Sequence, residues 1–303
     1  MTVFLNQLKE DWVVDRLRDE WVTHNKDIFT SSPRKANVIW IIAPWLWKNI
    51  KLKHLNNKKV ICSIYHIEEF KMDDDYLSDF YERDQYVDEY HVISKKTEEQ
   101  LKKLTNKKIT HIPFWINQNI FYEINTKDSI RKKFNLPDDS FLVGSFQRDS
   151  EGNNPNKAKY IKGPDQFIEI VRYLKTINKN LEVVLTGKRR DFIVSELKKY
   201  NIGYYIFEMT DFESLNEIYN CIDLYIVASR IEGGPQAIME CAITKTPIIS
   251  TDVGIASEIL SPKSIFNMNN FKNAKPDTEY AYRNSLRFTI PEGFKEYREL
   301  LEH

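Results

Sequence analysis

Apolar and polar positions along this chain follow two periods. Short β-branched and apolar runs predict strands at 3–5, 38–43, 60–65, 91–93 and 109–112. After a break they resume at 141–145, 181–186, 204–207, 224–228 and 247–250. Between them, apolar residues recur at helical spacing. Val13, Leu17 and Trp21 form one stripe, and Phe167, Ile170, Val171 and Leu174 another. Thr97, Leu101 and Leu104 mark a third helix, with Ser94 as its N-cap. Strand–helix alternation predicts an α/β fold of mostly parallel sheets with helices on both faces. The break near 114–140 separates two sets, so two doubly wound domains are expected.

Length agrees: 303 residues fit two domains of about 150. Hydrophobic residues make up 42%, enough for packed cores and too many for a disordered chain. The longest apolar run, 38–47, is interrupted by Pro44 and falls short of the roughly 20 residues a membrane span needs. The first residues lack a basic region followed by a long apolar run, so a secretory leader is not expected. Three cysteines without CxxC spacing fit a reduced, cytoplasmic compartment. Lys plus Arg and Asp plus Glu are both 44, and this balance disfavours a bulk grip on nucleic acid. Charge is nevertheless patterned. Ten acids lie between Glu68 and Glu89 against Lys71 and Arg83, and six lysines between Lys95 and Lys108 against Glu98 and Glu99. Two solvated faces are the plain reading. The 95–108 patch also leaves open contact with an anionic acceptor or the inner face of a membrane.

Glycine separates the halves. None occurs before Gly144, and eight of nine fall between Gly144 and Gly254. A loop that brings backbone close to a phosphate therefore belongs to the second half. The informative stretch is Ser229-Arg230-Ile231-Glu232-Gly233-Gly234-Pro235, between the strand at 224–228 and a helix that Pro235 suits as a first turn. Open amides at a helix N-terminus favour an anion such as a diphosphate. Glu240 lies inside that helix among Ala237, Ile238, Met239, Cys241, Ala242 and Ile243, so its carboxylate needs donors. Ligand hydroxyls, a backbone amide or an arginine could each supply them. A second piece runs from Gly144-Ser145 through Phe146-Gln147-Arg148-Asp149 to Lys157, Lys159, Lys162 and Gly163. It reads as a long polar loop with cations at a strand's C-terminal end, where doubly wound folds bind ligands. Lys157 and Lys159 read first as ordinary exposed lysines.

With these residues in view, the chain resembles the retaining glycosyltransferases of family 4. Glu232 and Glu240, with seven residues between, resemble that family's E-x7-E motif. Lys162-Gly163 resembles its Lys-Gly step, and Thr246-Pro247-Ile248-Ile249-Ser250 the strand that follows. The resemblance covers 109–260 well and the first hundred residues more loosely. It implies the GT-B fold: two Rossmann-like domains facing a central cleft, 1–120 on the acceptor side and 121–285 binding the donor, with 286–303 packing back as a helix on the first. It implies that Glu240 accepts hydrogen bonds from the donor ribose and that Glu232 contacts hydroxyls of the transferred sugar. Arg148 and Lys162 would neutralise the leaving diphosphate, with Gly144, Gly233, Gly234 and Pro235 lining the site. The backbone near Met209 and Leu215 would hold the base. His66 falls where the family often has an acceptor-side residue, and it reads equally as a loop histidine. The family often has Gly-Arg where this chain has Gly144-Ser145, so Arg148 stands in as the replacement cation.

The implied activity is transfer of a hexose from a UDP- or GDP-linked sugar to a hydroxyl on a glycan, glycolipid or small acceptor. Configuration would be retained, with no cofactor and no metal. Asp73-Asp74-Asp75 resembles a metal-binding DxD but precedes a helical pattern and reads as a solvated first turn. A non-catalytic scaffold that binds sugar nucleotides, or a transferase that modifies nucleic acid, are the rival readings.

Overall fold

The computed structural model describes residues 1–7, 13–151, 154–208 and 210–302, with backbone only at 154–156. The chain forms two compact units, Met1–Trp115 with Ile290–His303, and Ile116–Thr289. The first contains, in chain order, β1 (Val3–Leu5), α1 (Val13–His24), β2 (Val38–Ile41), α2 (Leu52–Leu55), β3 (Lys59–Ile64), α3 (Asp74–Asp84), β4 (Glu89–Val92), α4 (Lys95–Leu101) and β5 (Lys108–His111). The second contains α5 (Lys127–Lys133), β6 (Phe141–Ser145), β7 (Ser150–Glu151), β8 (Asn154–Ala158), α6 (Pro164–Ile177), β9 (Leu181–Thr186), α7 (Asp191–Lys199) and β10 (Gly203–Phe207). It continues through α8 (Phe212–Cys221), β11 (Leu224–Val227), α9 (Gln236–Thr244), β12 (Ile248–Thr251), α10 (Ala256–Ile259), β13 (Ile265–Phe266) and α11 (Thr278–Ser285). α12 (Lys295–Glu302) returns to the first unit.

The first sheet is parallel in the order β1-β2-β3-β4-β5. After α1 the chain touches the outer side of β1 through a parallel bridge, Val3 to Phe29, before β2 forms on the other side. Strand order therefore reverses at β1. The period-2 alternation sorts the two faces. Val3, Leu5, Val38, Trp40 and Ile61 pack with Leu17 and Trp21 of α1 and with Tyr297 and Leu301 of α12. Ile39, Ile41, Val60 and Cys62 pack with Leu55, Phe80 and Leu101 of α2, α3 and α4.

The second sheet is also parallel, in the order β10-β9-β6-β11-β12-β13. Its first strand, β6, is central, and the chain builds outward on both sides. α6 and α7 cover one face through Phe167 and Ile193. α8 and α9 cover the other through Ile218 and Met239. The order reverses between β6 and β11, so a crevice opens where their C-terminal ends diverge.

Three expectations need adjusting. The loop after β6 holds a two-stranded antiparallel hairpin, β7 with β8. The units divide at Trp115/Ile116 and Thr289/Ile290, a few residues from 120/121 and 285/286. Ile116 bridges to Thr289, and Phe121 is buried in the second core. β13, absent from the expected strands, has only two residues, too short for a periodic signal.

α12 is held to the first sheet by one buried network. The Tyr297 ring stacks 5.4 Å from Trp40, and its hydroxyl donates to the Ile112 carbonyl at 3.1 Å. Trp40 Nε1 donates to Ser63 Oγ at 2.8 Å, and Ser63 lies 2.9 Å from His91 Nδ1. His91 Nε2 lies 2.8 Å from the same Ile112 carbonyl. These partners suit neutral His91, with its proton on Nε2 and Nδ1 accepting from Ser63. Burial pushes the imidazole down from 6.5 to about 4. Above pH 6.5 the folded and unfolded chains are both neutral at this site. As pH falls from 6.5 toward 4, only the unfolded chain gains the proton, so stability falls. We expect this site to remove about 3 kcal/mol across that window. Thermal melts of wild type and His91→Gln from pH 7 to 4 measure it, and a loss of the same size in the variant would assign the effect elsewhere.

Candidate functional site

The crevice of the second sheet is built on a glycine. Gly163 has φ +61° and stands immediately before α6. A Cβ there would overlap the carbonyl oxygen of Ala228, just past the end of β11. Glycine thus allows both the left-handed backbone and the close approach. Further bonds lock the two loops together. The amides of Arg230 and Ile231 donate to Ile161 O at 2.8 and 3.2 Å. Gln166 Nε2 donates to Ala228 O at 2.6 Å. Arg230 grips Asp165 with both ends of its guanidinium, at 2.7 and 2.6 Å, and donates to Tyr160 O at 2.9 Å. The pair is part-exposed, so its value lies in bidentate geometry more than in charge.

This packing delivers Lys162 to Glu232. Lys162 Nζ forms an ion pair with Glu232 Oε1, and the Ser229 hydroxyl donates to that oxygen at 3.2 Å. Gln147, on the loop after β6, completes the link. Its Nε2 donates to Lys162 O at 3.1 Å and reaches Ser229 Oγ at 3.2 Å. Three loops that are distant in sequence so converge on one cation–carboxylate pair. A second glycine supports them: at Gly254, φ +49°, a Cβ would overlap the Gly233 carbonyl. Gly233 and Gly234 then lead into α9. Pro235 stands one residue ahead of the expected place, as the N-cap with extended ψ 115°, and its carbonyl accepts from Ile238 N at 2.9 Å.

Glu240 points from α9 into the core and is 6% exposed. Tyr219 of α8 donates its hydroxyl to Glu240 Oε2 at 2.8 Å. Burial holds the Tyr219 phenol well above its usual range, so it stays a donor. A tyrosine hydroxyl, which carries no local signal in the sequence, is thus one donor to this carboxylate. Phe146 and Tyr225 pack against the Tyr219 ring, with centroids 4.8 and 5.6 Å away.

The remaining residues fall as follows. Gly144 is inside β6, where a Cβ would press on Ile222 and Phe146, so its smallness serves packing and the loop begins later. Leu215 is in the first turn of α8 and packs on the core of the second unit. Met209 lies outside the described residues. Arg148 is exposed on the loop after β6. The cation that reaches Ser145 is Arg190, from the loop after β9, which donates to the Ser145 carbonyl at 2.8 Å and lies 3.4 Å from Asp149 Oδ2. Both side chains are buried; burial pushes the Asp149 carboxyl up, and the Arg190 charge opposes that. A basic triplet, Lys188-Arg189-Arg190, just after a strand in the glycine-bearing half was the available signal for Arg190. Gln147 and Tyr219 carried no local signal. His66 belongs to the first unit, beyond β3, where its Nε2 lies 3.2 Å from Glu68 Oε1. Asp73 caps α3 by accepting from Tyr76 N at 2.9 Å, as a helix N-terminus requires.

The lysine patch has partners inside its own unit. Lys102 pairs with Glu98 and Glu99, Lys103 with Glu69, and Lys108 with Glu89. Lys107 donates to Val87 O. Lys157 pairs with Glu151 across the hairpin. Among the described residues, no helix is long and apolar enough to cross a membrane.

Residues 127–277 match the family described as Glycosyl transferases group 1. Comparison with curated proteins finds no match. Among solved structures, the chain is similar to Anabaena HepE in complex with UDP, with TM-score 0.76, 13% identity and 100% of each chain covered. It is similar to sucrose-phosphate synthase from Thermosynechococcus elongatus, with TM-score 0.70, 16% identity, and 98% of this chain and 81% of that one covered. A third is the pneumococcal O-GlcNAc transferase GtfA in complex with UDP and GlcNAc, with TM-score 0.63, 15% identity, and 88% and 56% covered. The fold is GT-B, an α/β fold with two Rossmann-like sheets.

The glycine inside β6 and the glycine just before α6 differ in what a methyl group would meet. Gly163→Ala meets a backbone carbonyl in left-handed backbone and should cost about 3 kcal/mol or more. Gly144→Ala meets the end of the Ile222 side chain and should cost about 1–2 kcal/mol. Urea unfolding of both variants tests the ordering, and equal losses would refute the close approach at Gly163.

Proposed function

We propose that this chain, whose residues 127–277 match the group 1 glycosyl transferase family, is a retaining glycosyltransferase. It moves a hexose from a nucleoside-diphosphate sugar to a hydroxyl acceptor. The observation that carries the reading is the convergence of Lys162, Glu232, Ser229 and Gln147 at the switch point between β6 and β11. UDP is the first candidate for the nucleotide, because the HepE and GtfA structures hold UDP. A glycan is the first candidate acceptor, with a glycolipid or small molecule next. The cytoplasm is the proposed compartment.

Transfer breaks the bond between the anomeric carbon and a phosphate oxygen, and negative charge builds on the departing diphosphate. Lys162 supplies a positioned ammonium there, with the amides of Gly233 and Gly234 beside it. Arg148 on the loop after β6 adds a second charge, and buried Arg190 a fixed positive potential behind Ser145. These cations make a resident metal unnecessary in the proposal. Before donor arrives, Glu232 and Ser229 hold Lys162 in place. With donor bound, Glu232 is free to accept from hydroxyls of the transferred sugar. Glu240, oriented by Tyr219, accepts from the ribose. The acceptor hydroxyl attacks from the face the diphosphate leaves, and its proton passes to the departing phosphate oxygen.

A thermal-shift panel of UDP, GDP, ADP and CDP with their sugar conjugates is the first test. A ligand that binds only the folded state raises stability by mass action. We expect a shift with UDP that chelator does not remove. No shift with any of them would overturn the reading. Lys162→Ala should lower turnover about 100-fold while donor affinity changes little. Unchanged turnover would remove Lys162 from its role, and an inverted anomer in the NMR spectrum of the product would overturn retention.

A further inference from the structure

We infer that Trp45 is the stacking platform of a carbohydrate subsite at the switch point of the first sheet. The inference rests on the transferase reading, because it names the chemistry of the acceptor. Of the described tryptophans, Trp21, Trp40, Trp47 and Trp115 are at most 1% exposed, whereas Trp45 is 45% exposed. An indole that stays half in water keeps a broad apolar face open to a ligand, with a polar N–H at its edge.

Its placement follows from the chain. Asn6, just past β1, is buried and closes its amide on Ala43, just past β2. Its Nδ2 donates to Ala43 O at 2.9 Å, and Ala43 N donates to Oδ1 at 3.0 Å. This clamp ties together the two strand ends where sheet order reverses, which is where doubly wound sheets bind ligands. The chain then turns at Pro44 into a short 3-10 helix, Pro44–Asn49. That turn sends Trp47 inward, with Nε1 3.3 Å from Asp79 Oδ1, and Trp45 outward.

The base under Trp45 is rigid. Its ring lies 6.1 Å from that of Tyr65, just past β3. Tyr65 donates its hydroxyl to Ile42 O at 2.6 Å, accepts from Thr97 Oγ1 at 3.0 Å through its carbonyl, and packs its ring 5.4 Å from Phe114. The next residue, His66, has a side chain 37% exposed and faces Glu68 at 3.2 Å. A pyranose offers C–H groups on one face and hydroxyls around its rim. An indole face matches the first, and His66 with Glu68, on the loop that follows Tyr65, supplies polar groups from the next strand end. A bilayer would call instead for a wide apolar surface.

The test uses the full chain and three probes: UDP, a panel of gluco-, galacto- and N-acetylglucosamine oligosaccharides, and anionic phosphatidylglycerol vesicles. Fluorescence from an exposed tryptophan shifts to the blue when a ligand covers it. We expect at least one oligosaccharide to cause that shift in wild type. Trp45→Leu should abolish the shift and weaken binding of that sugar about tenfold or more by calorimetry. Its thermal shift with UDP should be unchanged, and Trp45→Tyr should restore part of the sugar affinity. A variant that binds the sugar as wild type does, or a wild type whose Trp45 emission responds to vesicles and to no saccharide, would overturn the subsite while the UDP shift keeps the transferase reading. Loss of the UDP shift in wild type would overturn both.

Discussion

The second unit depends on a close approach between two pieces of backbone. At Gly163 the start of α6 lies against the carbonyl at the end of β11 with no room for a side chain. That contact sets the position of Lys162, whose own side chain has many rotamers but whose Cα is fixed by its neighbour. Gly254 repeats the device on the other side, against Gly233. The charged and polar groups then need only short reaches: Gln147 to Lys162 O, Ser229 to Glu232, Arg230 to Asp165. Steric fit comes first here, and hydrogen bonds refine it. In the proposed transfer, a cation held this way is oriented before the diphosphate arrives, which would leave little reorganisation for the transition state.

What was readable beforehand divides along a physical line. Strand positions, the cap at Ser94 and the placement of Glu232 on a loop and Glu240 in a helix follow from local periodicity and local capping chemistry. Lys162-Gly163 stands out in the sequence as part of a polar loop bearing cations and by its resemblance to a family step. Pairings across the sheets were not readable. Tyr219 with Glu240, Arg190 with Ser145 and Tyr297 with Trp40 join elements whose adjacency is set by strand order. No window of sequence contains both partners. Arg148 is the nearest arginine in sequence to Ser145, yet the one in contact with it is Arg190, from the loop after β9.

Charge follows a similar rule. The acidic run and the lysine patch of the first unit look like separate faces in sequence, but folding interleaves them. Lys103 meets Glu69, Lys108 meets Glu89, and Lys48 meets Asp79 and Glu82. Apart from Lys108 with buried Glu89, these pairs are exposed and contribute little to stability. Their effect is to lower the long-range field. The acceptor proposed for the first unit would then be recognised by shape and hydrogen bonding more than by net charge, as suits an uncharged carbohydrate.

The return of α12 to the first sheet bears on how the chain is made. Tyr297 completes a network with Trp40, His91 and Ile112, so the first unit lacks part of its core until the last helix has been synthesised. The second unit, from Ile116 to Thr289, is contiguous and has its whole sequence earlier. During vectorial synthesis the later-encoded unit can therefore finish first, reversing the usual N-terminal-first order of domain folding. Until then the first sheet carries an uncovered apolar face, the form in which a nascent chain has most need of a chaperone.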